Sequence, residues 1–176
     1  MAGFKYKGQL KGGMQSPGTV NLIIGNSQTV YVGSAVGLSG GYIIPATTGI
    51  RLVGICIGIV DKDGLDLDST RSTKYDGTWT QGEAGTGNYA AASDNVTDKQ
   101  VKAVVIIDKD ALFESACTGL AAAQRFGHFD LTDSITVHAY QGNGMNAGQM
   151  QLIDFASATL GTFKIEESIL DTYAVS

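Results

Sequence analysis

Charged residues are scarce in this chain, and so are proline, cysteine and histidine. Charged residues make up 16% of the 176 residues, against about 25% in an average domain. The two cysteines, Cys56 and Cys117, fit no zinc-ligand or redox spacing. The longest apolar run, near residues 52–60, is too short and too rich in glycine to span a bilayer. Composition therefore predicts neither a zinc site nor a membrane span.

Acidic residues are missing from the first 60 positions. Lys5, Lys7, Lys11 and Arg51 give this third a charge of +4, whereas the remaining residues carry −9, for a net charge of −5. An acidic chain is a poor candidate for non-specific nucleic-acid binding, which needs clustered Lys and Arg. The basic and acidic parts would attract each other, within one chain or between copies. Chance clustering on a sparsely charged chain is the alternative.

The start of the sequence shows no secretory pattern, because no apolar stretch follows Lys5. Together with the two unpatterned cysteines, this favours synthesis and folding in a reducing cytoplasm. Cys56 lies inside the apolar run "LVGICIGIV", where it is most simply a small buried hydrophobe.

Alternating side chains are the main structural signal. In "QTVYV", residues 28–32, Val30 and Val32 oppose Thr29 and Tyr31, which is the period of a half-buried strand. Similar patterns recur in "SITVHAY", "QMQLIDF" and "TFKIEES". Further strands are predicted at 20–24, before Pro45, and at 51–60, 100–107 and 111–115. We therefore predict a mainly all-β fold, an antiparallel β-barrel or β-sandwich.

Two segments depart from simple alternation, one with two glycines and one with three alanines. Gly54 and Gly58, inside the predicted strand 51–60, indicate a bend or a close approach of another backbone. The segment 118–127 is the one helix candidate, with Thr118 as N-cap and three alanines before a glycine. The sequence thus predicts one short helix among many strands.

The chain divides into three parts by composition. Residues 1–18 hold three lysines and few apolar residues, so we expect an extended N-terminal arm that orders only on a partner. Residues 19–176 are predicted to form a single β-barrel-like domain. Within it, 61–98 is a long polar loop with a hairpin near Trp79, and a loop of this length is usually functional.

Candidate catalytic and metal sites are weak. Asp61, Asp63, Asp66 and Asp68 cluster in "DKDGLDLD", but the glycine and the twelfth residue do not match a calcium loop, so a solvated acidic turn is the better interpretation. The two histidines have no nucleophile at a meaningful spacing. We predict that the chain is not an enzyme and needs no cofactor or metal.

Several segments resemble the head accessory proteins of tailed bacteriophages. "VYVG" and "GYIIPAT" are followed by the apolar "LVGI" and by a polar loop with tryptophan, as in that family. "IIDKDALFE", residues 106–114, is similar to the family's corner motif, with Lys109 where the family has proline, and "GLAA" follows it. The resemblance covers roughly residues 20–126.

This resemblance implies a decoration or cement protein that stabilises the capsid shell by multivalent contacts. The partners would be the major capsid protein and other copies of this chain, most simply in a trimer. The protein would be made in the host cytoplasm and would lie on the capsid surface of the virion. Two alternatives stay open: another virion component, such as a major capsid, tail or head-fibre-base protein, and a carbohydrate-binding β-domain.

Two sets of residues are candidates for contact with a partner. The first set comprises the lysines of the predicted arm, and the second comprises the aromatic residues of the long loop. These candidates are Lys5, Lys7, Lys11, Tyr75, Trp79 and Tyr89.

Overall fold

The computed structural model describes residues 3–10, 16–67, 78–81, 87–137 and 148–166. Fifteen strands lie in these ranges. They are β1 (Lys5–Gln9), β2 (Thr19–Ile23), β3 (Thr29–Tyr31), β4 (Ala35–Ser39), β5 (Tyr42–Pro45), β6 (Leu52–Val60), β7 (Thr78–Gln81), β8 (Gly87–Ala90), β9 (Lys102–Ile106), β10 (Ala111–Ala116), β11 (His128–Phe129), β12 (Leu131–Asp133), β13 (Thr136–Val137), β14 (Met150–Ser157) and β15 (Leu160–Ile165).

The strands form three sheets and one small hairpin. The outer sheet has the order β1–β10–β15–β14–β11, and the central sheet has the order β2–β9–β6–β4–β5. A small sheet consists of β3–β8–β7, and β12 pairs with β13. All of these strand pairs are antiparallel. The prediction of a mainly antiparallel β fold is confirmed.

Strand β6 of the central sheet is buried on both faces. Ile55 belongs to the core shared with the outer sheet, which includes Phe113 and Phe163. Its neighbour Cys56 belongs to a second core shared with the small sheet, which includes Tyr89. Consecutive residues of a strand point to opposite faces, so β6 must be apolar at nearly every position. This layering explains why "LVGICIGIV" reads as a continuous apolar run rather than an alternating one.

Both glycines inside β6 have a structural cause. A Cβ atom at Gly54 would lie 1.9 Å from the carbonyl oxygen of Ile106 on β9, so only glycine allows this approach. The register shifts between Cys56 and Gly58, which places Ile57 in a bulge with 41% of its surface exposed. The predicted close approach and bend are confirmed.

The sheets do not close into a barrel, so the sandwich alternative is correct and the closed barrel is wrong. The central sheet curls until its two edges meet at one bridge, between Ile24 and Ile43. There the Gly25 N–H donates to the Ile43 carbonyl at 2.8 Å. Among the described residues, β2 and β5 form no hydrogen-bonded ladder beyond this single bridge. The small sheet encloses the second core instead.

The predicted free arm is wrong for residues 5–9. These residues form β1, an edge strand of the outer sheet that pairs with β10. Phe4 is buried in the first core, and its N–H donates to the Gly33 carbonyl at 2.6 Å. Tyr6 packs edge-on against Phe113 with ring centroids 6.2 Å apart. These aromatic contacts bury apolar surface and so hold the segment on the sheet, although its lysine-rich composition predicted little burial.

The predicted helix over 118–127 is reduced to a single 3-10 turn at Ala122–Gln124. Gly119 has a positive φ of 72°, which breaks a right-handed helix before it starts. The Leu120 N–H then donates to the Ala158 carbonyl at 3.0 Å, so the segment is held along the β14–β15 turn. A helix of two turns has too little intrinsic stability to compete with these contacts.

Candidate interaction surfaces

The basic residues of β1 lie against an acid of the same chain. Lys5 stands opposite Glu114 of β10 in the register, and Lys7 Nζ lies 2.9 Å from Glu114 Oε2. Half of the Lys7 side chain remains exposed, so an ion pair here is screened by solvent. Lys11 lies outside the described residues. The edge of the outer sheet therefore presents a mixed strip of charge rather than an isolated basic arm.

The aromatic set is split by the fold. Trp79 and Tyr89 are opposite each other in the register of the β7–β8 hairpin, which confirms the hairpin predicted near Trp79. Tyr89 is fully buried in the second core. It pairs in register with Val30 of β3, a core residue, so its ring cannot serve as a contact for a partner, and that prediction is wrong. Tyr75 lies outside the described residues.

The acidic turn after β6 is organised by one buried carboxylate. Asp61 is buried, and its Oδ1 accepts hydrogen bonds from the N–H groups of Asp63 and Leu65, each at 2.9 Å. An aspartate commonly stabilises a turn in this way. Asp68 lies outside the described residues. In the parts of the chain that the structure describes, no three His, Cys, Asp or Glu side chains are grouped to hold a metal ion.

A solvent-open cavity of about 400 Å³ lies between the ends of β10, β12 and β13. Ala116, Cys117 and Val137 line it, together with threonines that include Thr132 and Thr136. Burial raises the pKa of the Cys117 thiol, which disfavours the reactive thiolate. The cavity is therefore a chemically inert depression with apolar and hydroxyl walls.

Phe126 is the most exposed large apolar residue among those described, with 65% of its surface accessible. Its φ is +63°, an uncommon backbone conformation for a bulky side chain. The Phe126 N–H donates to the Leu152 carbonyl at 2.7 Å, and its own carbonyl accepts from Gln151 Nε2 at 3.1 Å. Two hydrogen bonds to β14 thus hold a ring that projects into solvent.

An ion pair flanks this exposed ring. Arg125 Nη2 lies 2.8 Å from Asp154 Oδ1, and its guanidinium carbon lies 5.2 Å from the centroid of the Phe155 ring. Hydrogen bonds from the Phe155 backbone and from Arg125 lower the pKa of the Asp154 carboxyl. Guanidinium, carboxylate and aromatic groups therefore meet beside Phe126.

Sequence reasoning missed both the cavity and the projecting ring. The cavity is formed by residues distant in the chain, from β10 to the β14–β15 turn, so no local pattern marks it. The predicted helix over 118–127 places Phe126 in its last turn. Its position directly before Gly127, where that helix was expected to end, was the available signal.

Comparisons with known proteins supply no relative for this chain. No family model, no curated protein and no solved structure matches it. Among the described residues, no helix is long and apolar enough to cross a membrane. A function must therefore be argued from the resemblance of the sequence motifs and from the surfaces described above.

Proposed function

We propose that this chain is a structural protein of a tailed-phage virion that decorates and stabilises the capsid shell. Its partners would be the major capsid protein and further copies of itself. The proposal starts from the motifs of residues 20–126, which resemble head accessory proteins. Its mechanism is adhesion, in which weak contacts repeated over many copies give a strong overall hold.

The main structural support for the proposal is the position of the corner motif between the central and outer sheets. Residues 106–114 run from the end of β9 in the central sheet to β10 in the outer sheet. Asp108 Oδ1 accepts from the Asp110 N–H at 2.9 Å, and Asp108 Oδ2 accepts from Gln9 Nε2 at 2.6 Å. One aspartate thus joins the two sheets to the edge strand, which supports a mechanical role for the motif.

Surface composition supports the same proposal. Leu10, Leu65 and Phe126 expose 49%, 55% and 65% of their surface, on a chain with few charged residues. These three residues lie in turns and loops between the strands, and separate exposed apolar side chains suit contacts with neighbouring subunits. Each contact is small, so occupancy would depend on the repetition of copies across a shell.

The direct test is quantitative mass spectrometry of purified virions of the phage that encodes this chain. A decoration protein should be present in a number of copies similar to that of the major capsid protein, or in a simple fraction of it. Addition of the purified chain to undecorated particles should restore that occupancy and raise their resistance to heat. A few copies per virion would indicate a tail or head-fibre-base component instead, and absence from virions would reject the proposal.

A further inference from the structure

We propose that the Phe126 ring of one copy inserts into the cavity beside Thr136 of the next copy, which links the chains head to tail. This inference identifies the surface through which copies of the chain would associate, as the proposed function requires. It rests on that association only, and does not require attachment to a shell. Four features of the described residues carry it: a fixed projecting ring, a cavity of suitable size, complementary charge, and the separation of the two patches.

The ring has the properties of an interface anchor. Large aromatic and arginine side chains dominate binding at protein interfaces. Phe126 is accessible over 65% of its surface, yet its backbone is bonded to β14 on both sides. A bulky residue at a positive φ costs stability in the isolated chain. Such a position is expected to be kept for a contact that the isolated chain does not show.

The cavity is large enough and apolar enough to receive this ring. An apolar cavity of about 150 Å³ can hold benzene, whereas this one measures about 400 Å³ and opens to solvent. Ala116, Cys117 and Val137 offer apolar contacts to a ring face. Thr132 and Thr136 add methyl and hydroxyl groups to the lining.

Charges beside the two patches are complementary. Arg125 precedes the ring, and Asp133 pairs in register with Thr136 at the cavity. Asp130 and Asp133 are both exposed, and no cation of the described residues forms an ion pair with either. Arg125 uses one nitrogen for Asp154, and its guanidinium has further N–H donors for a second carboxylate. Insertion of the ring would therefore bring a cation towards exposed carboxylates that form no ion pair with a cation of the described residues.

Ring and cavity are different patches of one chain, because Phe126 does not line the cavity. When each copy receives a ring from one neighbour and inserts its own into another, the contact is heterologous, and it forms a closed ring when the rotation closes and an open filament when it does not. A closed ring of three copies would agree with the trimer expected from the sequence. A two-fold dimer would arise only if two copies exchanged their rings reciprocally.

Two variants test the two halves of the contact. Phe126→Gly removes the ring and relieves the positive φ, so the chain should fold. Thr136→Trp fills the cavity from its own wall. Each variant alone should associate at least tenfold more weakly than the wild type in analytical ultracentrifugation, with an unchanged circular dichroism spectrum. Ile57→Ser is the matched control, because Ile57 is an exposed apolar residue in the bulge of β6, does not line the cavity, and should leave the oligomer intact.

Mixing the variants separates this contact from any other. Phe126→Gly keeps an open cavity and Thr136→Trp keeps a ring, so a mixture should form one-to-one heterodimers and nothing larger. If Thr136→Trp does not fold, Thr132→Trp at the same cavity takes its place. A monomeric wild type, a Phe126→Gly variant with the wild-type mass, or a mixture without heterodimers would each overturn the proposal. Normal self-association without binding to particles would instead count against the shell function alone.

Discussion

Gln149 donates from its side-chain amide to the backbone carbonyl of Ile50, across the gap between the outer and central sheets. The same side chain also donates to the Thr47 carbonyl at 3.0 Å and accepts from the Leu131 N–H at 3.0 Å. Gln149 is almost fully buried, and of its three partners Leu131 is buried, Ile50 is half-buried and Thr47 is exposed. One glutamine therefore fastens the two layers beside the β12–β13 hairpin.

Replacement of Gln149 by leucine should destabilise the sandwich strongly. The change removes three hydrogen bonds and leaves the N–H of the buried Leu131 unsatisfied, at a cost of about 1–3 kcal/mol. We expect a loss of about 2–3 kcal/mol in the free energy of unfolding, measured by urea denaturation. Gln151→Leu is the control and should cost about 1 kcal/mol or less, because Gln151 is half-buried on the outer face. Equal losses of unfolding free energy for both variants would contradict the proposed role of Gln149 in joining the two sheets.

Two glycines of β6 should respond differently to alanine. A Cβ atom at Gly54 would meet the Ile106 carbonyl oxygen at 1.9 Å, whereas the nearest atom at Gly58 is 3.6 Å away. Gly54→Ala must therefore push β9 away from β6, and we expect a loss of at least about 1–3 kcal/mol, as for other overpacked cores. Gly58→Ala should change stability by less than about 1 kcal/mol. Thermal unfolding of both variants would measure these changes, and a tolerated Gly54→Ala would show that strands β6 and β9 move apart easily here.

The two cysteines should react with thiol reagents at very different rates. Burial raises the pKa of Cys56 to about 12, partly opposed by a hydrogen bond to the Gly58 carbonyl. The thiolate is the reactive form, so Cys56 should be inert below pH 9 until the chain unfolds. Cys117 is also buried, with 2% of its surface exposed, but it lines the open cavity and should therefore be labelled before Cys56, at a rate that rises with pH.

Labelling of Cys117 also reports on the proposed contact between copies. In the wild-type oligomer the inserted ring should cover Cys117 and slow its modification at least tenfold relative to Phe126→Gly. Mass spectrometry after brief exposure to a maleimide identifies the modified residue. Faster labelling of Cys56 than of Cys117 would contradict the burial of Cys56.

The Arg125–Asp154 pair should make stability depend on acid pH. The pKa of Asp154 is lowered in the folded chain, so its contribution is present above the unfolded pKa of about 3.9. It is lost as pH falls through the lower folded value. The melting temperature of Asp154→Asn should therefore lie below that of the wild type at pH 6, and the difference should narrow below pH 4. A constant difference across this range would mean that the charge of Asp154 has no part in stability.

The three lysines near the start of the sequence should act on attachment rather than on folding. Replacement of Lys5, Lys7 and Lys11 by serine should leave the fold intact, because exposed ion pairs contribute ~0–1 kcal/mol. If these lysines contact an acidic patch of the shell, occupancy on undecorated particles should fall at low salt. Its dependence on salt should also become weaker, which a titration from low to high salt would measure. Unchanged occupancy at every salt concentration would exclude the lysines from the contact.

Much of this fold follows from the sequence by itself. Strands predicted at 20–24, 28–32, 51–60 and 100–107 correspond to β2, β3, β6 and β9. These strands can be predicted from local periodicity. An alternating pattern indicates a strand with one buried face, whereas a continuous apolar run indicates a strand buried on both faces. The sharp corner at 108–110 also follows locally, since Asp108 bonds the backbone two residues on.

Only the tertiary structure decided which layers meet and which side chains stay exposed. Lys5 is paired with Glu114, more than a hundred positions away, so β1 could not be recognised within the lysine-rich start. Tyr89 is buried because the small sheet covers the central one, although its own segment is polar. Phe126 is exposed because contacts of Leu120 and Gly127 with β14 and its turn override a modest helix propensity. Period and turn chemistry are properties of neighbouring residues, whereas burial depends on strands that the chain brings together from far apart.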